Sequence, residues 1–454
     1  MKIIIVGAGA VGSIVAQRLA GENHDVTLIE ADETIAEEAR SKSLVDALVK
    51  AGNGAACAAL EDADVQRTDI LIAVTNQDEI NILACLQADR YGVKTKVARV
   101  RNPEYYQRAG EPRRVSDSGF EGIDQMINPD QEAVREIHEL LLQPAATDIY
   151  DFADGRVQVI GARIAPGAVV ADKSLQEIQA EVGSRWALVA AITRKHKTII
   201  PCGEDVLEEG DHVFLVGRQG KIGEALQMLT PPTPRPKNVM IAGANRIAIA
   251  LSEWLTREGL HVKIIERDAK RARKAGDRLD KCLVLHGEAT DAELLVAEHV
   301  GEMDAFVAVS DDEEMNLTSS LLARHHGAKK TIALIKRPNY VPLASIIGID
   351  AAVSPRLSTA RAIMRFFRHG NVLSLTDLKD SDAEVLEMEA TENSPIVGRP
   401  LATLDSFPRH ALIGAIIKPY QVVVPRGADV IDPGDKVLVF TLPKSVRAVQ
   451  KLFR

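Results

Sequence analysis

Residues 1–30 read MKIIIVGAGAVGSIVAQRLAGENHDVTLIE, and residues 237–266 read KNVMIAGANRIAIALSEWLTREGLHVKIIE. Each stretch runs from a short apolar segment through a glycine to a helical pattern, and then to a second apolar segment that ends in glutamate. The chain therefore carries one structural unit twice, with Gly7 matching Gly243 and Glu30 matching Glu266. The glycines are complete in the first copy and partly replaced in the second.

The glycine motif of the first copy is typical of a phosphate-binding turn. It fits G-x-G-x-x-G between a predicted strand and a predicted helix, which is the context that this motif requires. The first glycine permits the tight turn, the second lets the backbone approach a pyrophosphate, and the third lets helix and strand pack closely. Free amides at the helix start would bind the anion. The motif residues are Gly7, Ala8, Gly9, Ala10, Val11 and Gly12.

Glu30 favours a nucleotide whose ribose carries free hydroxyls. It lies at the end of the predicted second strand, where an acidic side chain binds the ribose hydroxyls. A carboxylate at this place would repel a 2′-phosphate, so NAD or NADH is favoured over NADP. ATP and ADP carry the same ribose and remain alternatives.

The second copy leaves two interpretations open. Asn245 replaces the middle glycine and should crowd a pyrophosphate, whereas Arg246 could supply positive charge and Glu266 keeps the ribose acid. The copy is either a structural relic or a weaker or differently selective nucleotide site. Its candidate residues are Gly243, Ala244, Asn245, Arg246, Ile247 and Glu266.

The loops after the other predicted strands supply further candidates, because ligands of open α/β sheets bind at the carboxyl edge. Polar side chains and one arginine follow these strands, and the arginine could either reach a phosphate or lie in solvent. Gly287 is the predicted counterpart of the Asn53–Gly54 turn in the second copy. The candidates are Asn53, Gly54, Thr75, Asn76, Arg99 and, in the second copy, Ser310.

The repeat extends along the chain. AVTNQDEIN (73–81) matches AVSDDEEMN (308–316), and EDVLEEGDHVFLVG (204–217) matches ADVIDPGDKVLVFT (428–441). In each half, apolar segments that alternate with helical patterns predict a Rossmann-like, doubly wound parallel sheet. A shorter strand-rich segment then predicts a small α+β module. The fold class is therefore α/β, with predicted units at 1–143, 144–230, 237–368 and 369–454 and a proline-rich linker, PPTPRP, at 231–236.

A helix that opens with proline ends each Rossmann-like unit, at NPDQEAVREIHELLLQP and SPRLSTARAIMRFFRHG. Proline suits the first helical turn, where an amide would have no partner within the helix. Apolar residues at helical spacing predict either packing within the same unit or docking on a partner subunit. These residues are Val134, Ile137, Leu140 and Leu141 in the first helix and Ile363, Phe366 and Phe367 in the second.

Composition excludes several classes of protein. The 454 residues carry a net charge of −9, whereas nucleic-acid binding requires clustered basic residues. The four cysteines form no CxxC pair, which is typical of reduced thiols in the cytoplasm. We therefore expect a cytoplasmic protein that does not bind nucleic acid.

The sequence lacks the common catalytic motifs. It contains no HExxH, no GxSxG and no P-loop. Hydride transfer usually needs a positioned acid or base in a substrate domain, and only short strand-rich modules follow the glycine motifs. We expect no catalytic residue and no metal site. Nucleotide binding itself, rather than a reaction of the nucleotide, would then be the signal.

In these motifs the sequence resembles the TrkA family, the NAD-binding regulatory subunits of Trk potassium-uptake systems, which contain two RCK units (regulators of potassium conductance). The resemblance rests on MKIIIVGAGAVGS, AVTNQDE, VARVRNPEY, EEGDHVF, PGDKVLV and the four-part order. Asn245, Ala248 and the segment GNGAACAAL depart from the family pattern.

The resemblance implies a regulatory function. The chain would lie at the inner face of the cell membrane and form a homo-oligomeric ring, expected to be a tetramer, beneath an integral-membrane potassium transporter subunit. Nucleotide binding would bias the shape of the ring and gate uptake. Two alternatives remain: an NAD-dependent dehydrogenase with an unrecognised substrate module, and an RCK regulator of another cation channel or antiporter.

Overall fold

The computed structural model describes the chain except for residues 22–23, 42–46, 106–120, 144, 154, 183–186, 196, 231–234, 368–373, 379–380, 405–406 and 454. Most of the predicted linker, the predicted unit boundaries at 143/144 and 368/369, and the side chains of Phe366 and Phe367 lie outside the described residues. Among the described helices, none combines the length and the apolar character needed to cross a membrane.

The first unit is a parallel six-stranded sheet with the order β3-β2-β1-β4-β5-β6, which is the doubly wound arrangement that the sequence predicts. Its strands are β1 (Lys2–Val6), β2 (Asp25–Glu30), β3 (Ala47–Ala51), β4 (Ile70–Ala73), β5 (Thr95–Arg99) and β6 (Gln125–Ile127). Its helices are α1 (Ala10–Gly21), α2 (Glu33–Ser41), α3 (Cys57–Asp62), α4 (Asp78–Arg90) and α5 (Pro129–Leu142).

The first small module is an antiparallel five-stranded sheet with the order β10-β9-β11-β8-β7 and two short helices. Its strands are β7 (Ala146–Phe152), β8 (Val157–Arg163), β9 (Ala187–Arg194), β10 (Lys197–Ile199) and β11 (His212–Arg218). Its helices are α6 (Leu175–Val182) and α7 (Ile222–Leu229).

The second half repeats both parts. Its parallel sheet has the order β14-β13-β12-β15-β16-β17, and its small sheet has the order β18-β19-β22-β20-β21. The Rossmann-like strands are β12 (Asn238–Ala242), β13 (His261–Glu266), β14 (Cys282–His286), β15 (Ala305–Ala308), β16 (Thr331–Leu334) and β17 (Ala351–Val353). The small module contains β18 (Ser374–Asp377), β19 (Glu384–Glu389), β20 (Ala411–Ile417), β21 (Val422–Val423) and β22 (Lys436–Thr441). The helices are α8 (Arg246–Arg257), α9 (Ala269–Arg278), α10 (Ala292–Ala297), α11 (Glu313–His325), α12 (Val341–Ile346), α13 (Pro355–Phe367) and α14 (Val446–Lys451).

The central strands are buried on both faces, as the covered sheets of α/β folds require. Ile3, Ile4 and Ile5 of β1 are each 0% exposed, which explains why this strand is an unbroken apolar run rather than an alternating one. The two small sheets share an apolar interface that includes Phe214 and Phe440. The two small modules are therefore packed against each other.

The two proline-opened helices are exchanged between the halves. Helix α5 of the first half packs against α8 of the second, and α13 of the second half packs against α1 of the first. Ile137 and Leu140 share a core with Leu251 of α8, and Ile363 shares a core with Val15 of α1. The described members of the predicted stripes thus pack against the other half of the same chain, which differs from both predicted alternatives, the same unit and a partner subunit.

Polar contacts fix this exchange. Glu136 of α5 forms an ion pair with Arg361 of α13 at 2.6 Å and accepts a hydrogen bond from Ser358 at 2.6 Å. His138 of α5 stacks on Trp254 of α8, with ring centres 4.0 Å apart, and its Nε2 lies 2.9 Å from the Glu258 carboxylate. Both helices are therefore held in register as well as buried.

Lys330 caps the C-terminus of α5 from the second half. Its Nζ lies 2.7, 3.1 and 2.8 Å from the carbonyl oxygens of Leu140, Gln143 and Ala146. Leu140 belongs to the last turn of α5, where carbonyl oxygens have no partner within the helix. The side chain is only 4% exposed, and this burial lowers the pKa of the Lys330 ammonium to about 7. Burial of the charged form opposes folding at a pH below that value.

Replacing this lysine should change how stability depends on pH. Between about pH 7 and pH 10 the unfolded chain keeps the proton on Lys330 that the folded chain has released, so wild-type stability gains with rising pH. Lys330→Met removes this contribution. We expect the Tm of the wild type minus the Tm of Lys330→Met to increase from pH 7 to pH 9.5, measured by differential scanning calorimetry. A Tm difference that stays constant from pH 7 to pH 9.5 would contradict the lowered pKa of Lys330.

Candidate nucleotide-binding site

The turn between β1 and α1 has the backbone form that a phosphate loop requires. Gly7 has a φ of +104° and donates its amide to the carbonyl of Ile29 at 2.8 Å. A Cβ on Gly12 would lie 1.8 Å from the carbonyl oxygen of Gly7, so only glycine lets the helix approach the strand this closely. A Cβ on Gly9 would meet no atom within 4 Å, so the middle of the loop faces open space.

The start of α1 offers amides to an anion. Helix α1 begins at Ala10, and Val11 and Gly12 are buried beneath the loop. Within the described ranges, no side chain accepts a hydrogen bond from the amides of Ala10 or Val11. These donors and the positive end of the helix dipole point to the space above Gly9, where the sequence predicts that a pyrophosphate binds.

Glu30 lies beneath the same loop. One carboxylate oxygen accepts the Ala8 amide at 2.6 Å, and the other accepts the Asp32 amide at 3.0 Å. The side chain is half-buried and each oxygen keeps a further lone pair, so it can also accept from ribose hydroxyls. Glu30 thus positions the loop as well as offering the predicted ribose contact.

Asn81, which the sequence analysis did not select, organises the edge of the sheet. It is 0% exposed, and its oxygen accepts from the amide and the hydroxyl of Thr75 at 2.8 and 2.7 Å. Its amide donates to the carbonyls of Thr75 and Arg99 at 3.1 and 2.8 Å. The signal was present in the sequence, because both AVTNQDEIN and AVSDDEEMN end in this asparagine.

Arg99 and Asn76 lie beside this network with different exposure. The Arg99 Nη1 donates to the carbonyl of Thr75 at 2.7 Å, while its Nε is buried without a partner among the described residues. Burial lowers the pKa of the guanidinium, and the nearby Asp78 acts in the opposite direction. Asn76 is exposed at the mouth of the loop. A phosphate contact from Arg99 stays a prediction.

The turn after β3 differs from the expected correspondence. Asn53 is exposed and accepts the Ala55 amide at 3.0 Å, and a Cβ on Gly54 would lie 2.2 Å from Val6, so Gly54 is required by packing. Gly287 matches Gly52 rather than Gly54, because each donates its amide to the carbonyl of the glutamate that ends the second strand, Gly52 to Glu30 at 2.7 Å and Gly287 to Glu266 at 3.0 Å.

The second copy repeats the same framework. Gly243 has a φ of +100°, and the Ala244 amide donates to Glu266 at 2.7 Å. Ser310 is bonded to Asn316 through its amide and hydroxyl at 2.8 and 2.7 Å, as Thr75 is bonded to Asn81. The backbone geometry of the loop has therefore survived the sequence changes.

The groups that would touch a ligand differ. The Asn245 oxygen accepts from the amides of Ile247 and Ala248, both at 3.1 Å, so a side chain already caps α8. Arg246 is exposed, whereas Ile247 is buried in the core. The counterpart of Arg99 is Leu334, whose carbonyl accepts from Asn316 in the same way. The second copy is a framework without the open loop of the first.

Comparison with known families agrees with this duplicated architecture. The family model described as the TrkA-N domain matches residues 3–129 and 239–355, and the one described as the TrkA-C domain matches residues 159–230 and 385–454. The Trk system potassium uptake protein TrkA homolog 2 of Methanosarcina mazei is 35% identical and is matched over 100% of both chains. TrkA of Halomonas elongata is 34% identical over 100% of this chain and 99% of its own.

Solved structures support the same fold. The crystal structure of the GsuK RCK domain has a TM-score of 0.58 and 18% identity, covering 100% of this chain and 94% of that one. A second structure, described as the GsuK channel bound to NAD, has the same TM-score and identity, with 78% of that chain covered. At this identity the similarity concerns the fold.

Substitution of the open glycine should abolish nucleotide binding. In Gly9→Asp, a carboxylate would occupy the space above the α1 amides and repel a pyrophosphate. We expect the affinity for NAD to fall at least about 100-fold, or roughly 2.7 kcal/mol, by isothermal titration calorimetry. Gly21→Asp places the same charge at the far end of α1, where a Cβ also meets open space, and should bind like the wild type. If Gly9→Asp bound NAD with unchanged affinity, the nucleotide would not bind at this loop.

Removal of Asn81 should weaken both the edge of the sheet and the site. Asn81→Ala leaves buried groups of Thr75 and Arg99 without partners, at a cost of about 1–3 kcal/mol, and we expect roughly tenfold weaker NAD binding as the Thr75 loop loosens. Asn316→Ala removes the equivalent bonds from the second copy and should lower Tm while leaving the affinity of the first site unchanged. Equal effects of both variants on that affinity would show that Asn81 acts only on global stability.

Proposed function

We propose that this chain, which belongs to the TrkA family, is the nucleotide-binding regulatory subunit of a potassium-uptake system of the Trk type. Its ligand is NAD or NADH, bound at the first loop through Gly7, Gly9, Gly12 and Glu30. The observation that carries the proposal is the open helix start above Gly9, with the Ala8 amide held on a ribose acid at 2.6 Å. ATP and ADP share the adenosine half of NAD and are the alternative ligands.

The support for NAD over NADP comes first from the chemistry of the loop. Amides without partners bind the phosphates, and the half-buried Glu30 selects free ribose hydroxyls against a 2′-phosphate. The fold neighbour described as the GsuK channel bound to NAD is a protein of similar fold in which NAD is the ligand. Both lines favour NAD over NADP.

In this proposal the nucleotide regulates transport by binding to its site, and the chain does not convert the nucleotide chemically. Polar groups at the edge of the first site hold the backbone: Asn81 fixes Thr75, and Arg99 donates to the Thr75 carbonyl. Members of the family named above are potassium-uptake proteins. We therefore assign this chain no reaction of its own and treat a dehydrogenase as the alternative.

In a ring of several chains, a small preference of the ligand for one conformation at each site is enough to switch the whole assembly. A ligand shifts an equilibrium only by its differential affinity for the two states. Full switching needs about a 10⁴-fold preference, roughly 5.5 kcal/mol. A homotetramer would reach that total with about a tenfold preference, roughly 1.4 kcal/mol, at each of its four first sites. We propose such a ring in the cytoplasm, peripheral at the inner face of the membrane, beneath an integral-membrane potassium transporter.

The exchanged helices offer a path for the signal. The ligand would contact the start of α1, and α1 packs along α13 of the other half. Helix α13 is joined to α5 through the Glu136–Arg361 ion pair at 2.6 Å. A shift of α1 on binding would thus move two helices that lead into the two small modules.

Flux measurements test the proposal. Purified chain is added to vesicles that contain its potassium transporter, and rubidium uptake is followed with and without NAD or NADH. We expect nucleotide to change the uptake rate with the wild type and with Gly21→Asp, and to have no effect with Gly9→Asp. Regulation that persists in Gly9→Asp would contradict the proposed mechanism.

The alternatives give different results. Sustained oxidation or reduction of nicotinamide with candidate hydroxy acids would favour a dehydrogenase. Co-purification from membranes with a different cation channel or antiporter would favour an RCK regulator of that protein.

A further inference from the structure

We infer that the second cleft is filled by the chain's own polar groups where a pyrophosphate and its counter-charges would lie, so each chain binds one dinucleotide, at its first site. The inference rests on the proposed function, because it assigns the ligand of that function to one of two similar clefts. Two observations carry it: the position of Asn245 and the surroundings of Asp311.

Asn245 occupies the anion position of α8. Its carboxamide oxygen accepts from the amides of Ile247 and Ala248, both at 3.1 Å, as a phosphate oxygen would. Its carboxamide nitrogen donates to the carbonyl of Val309 at 2.5 Å, which anchors the side chain across the cleft. A pyrophosphate would have to displace all three bonds. The first copy has Gly9 at this place and nothing to displace.

Asp311 supplies a resident negative charge to the same cleft. Its carboxylate accepts from Arg271 at 3.0 Å and lies 3.8 Å from the Lys336 ammonium, which also donates to the Asp311 carbonyl at 2.6 Å. Burial by itself raises the pKa of this carboxyl, but Arg271 and Lys336 lower it more, so it stays ionised. Arg271 and Lys336, two cations that line or border this cleft, are therefore already paired with Asp311.

The first copy lacks this arrangement. The residue that matches Asp311 is the neutral, exposed Asn76, and the residue that matches Arg271 is Ile35. Arg101, which matches Lys336, is bonded instead to Asp130 of α5, with its Nε 2.9 Å from the carboxylate. The Asp311 carboxylate therefore has no counterpart in the first cleft.

The volume of the second cleft and the burial of Glu266 also indicate that little space is left for a ligand. The cavity bounded by Asn245, Asp311 and Glu266 has a volume of only about 30 Å³, far below the roughly 300–1,000 Å³ typical of small-molecule sites. Glu266 is only 5% exposed, whereas Glu30 is half-buried. The retained bond from Ala244 to Glu266 shows a structural use for this acid, since it holds the loop as Glu30 does.

Reciprocal substitution tests the inference. Asn245→Gly combined with Asp311→Asn gives the second cleft the residues found at positions 9 and 76. Titration calorimetry with NAD on the full chain should give one equivalent for the wild type and two for the double variant. Glycine is tolerated at a helix N-cap, so the variant should fold, which a thermal melt will check.

Two further variants locate the bound equivalents. Gly9→Asn transfers the blocking side chain to the first loop and should reduce binding in the wild-type background from one equivalent to none. Adding Glu266→Gln to the double variant should weaken the gained equivalent at least about tenfold and leave the first unchanged.

Two equivalents in the wild type, or a double variant that stays at one, would overturn the inference. Retained binding in Gly9→Asn would also overturn it, because the proposed blocking side chain would then not block. If the wild type binds no NAD, the proposed function fails instead. The double variant would still decide the inference. If it binds NAD and loses that binding on addition of Glu266→Gln, the inference is supported. If it binds no NAD, the inference is refuted.

Discussion

A hydrogen bond from a loop amide to a carboxylate on the neighbouring strand sets the geometry of both halves. Ala8 donates to Glu30 at 2.6 Å and Ala244 donates to Glu266 at 2.7 Å, and each bond follows a glycine with φ near +100°. Because the carboxylate holds the loop down, the helix that follows starts at the carboxyl edge of the sheet with its amides directed to one point. What occupies that point is decided by the next residue along the chain.

Duplication has kept this framework and changed its occupant. In the first copy Gly9 leaves the helix amides open, whereas in the second Asn245 accepts from two of them. A capped helix end satisfies its own donors and needs no ligand to be stable. The second half can therefore contribute packing surface and a cover for α5 without depending on nucleotide for its fold.

The exchange of α5 and α13 makes the two halves mechanically dependent. Each helix covers the first helix of the opposite Rossmann-like unit, and the Lys330 ammonium reaches across to cap α5. Packed interfaces of this kind shift between discrete arrangements rather than deforming smoothly. A ligand at the first loop would therefore act on the second half even if the second cleft binds none, as we propose.

The strand and helix order, the parallel sheets, the glycine turns and the glutamates that end β2 and β13 could be predicted from the amino-acid sequence alone. These features depend on local periodicity and on backbone conformations that only certain residues adopt. The surfaces that meet could be identified only from the three-dimensional contacts. Asn81 at the sheet edge, the cap formed by Asn245, the match of Gly287 with Gly52 and the exchanged helices all rest on contacts between residues far apart in the chain. Sequence spacing cannot give those contacts, because an apolar stripe is equally well satisfied by any complementary surface.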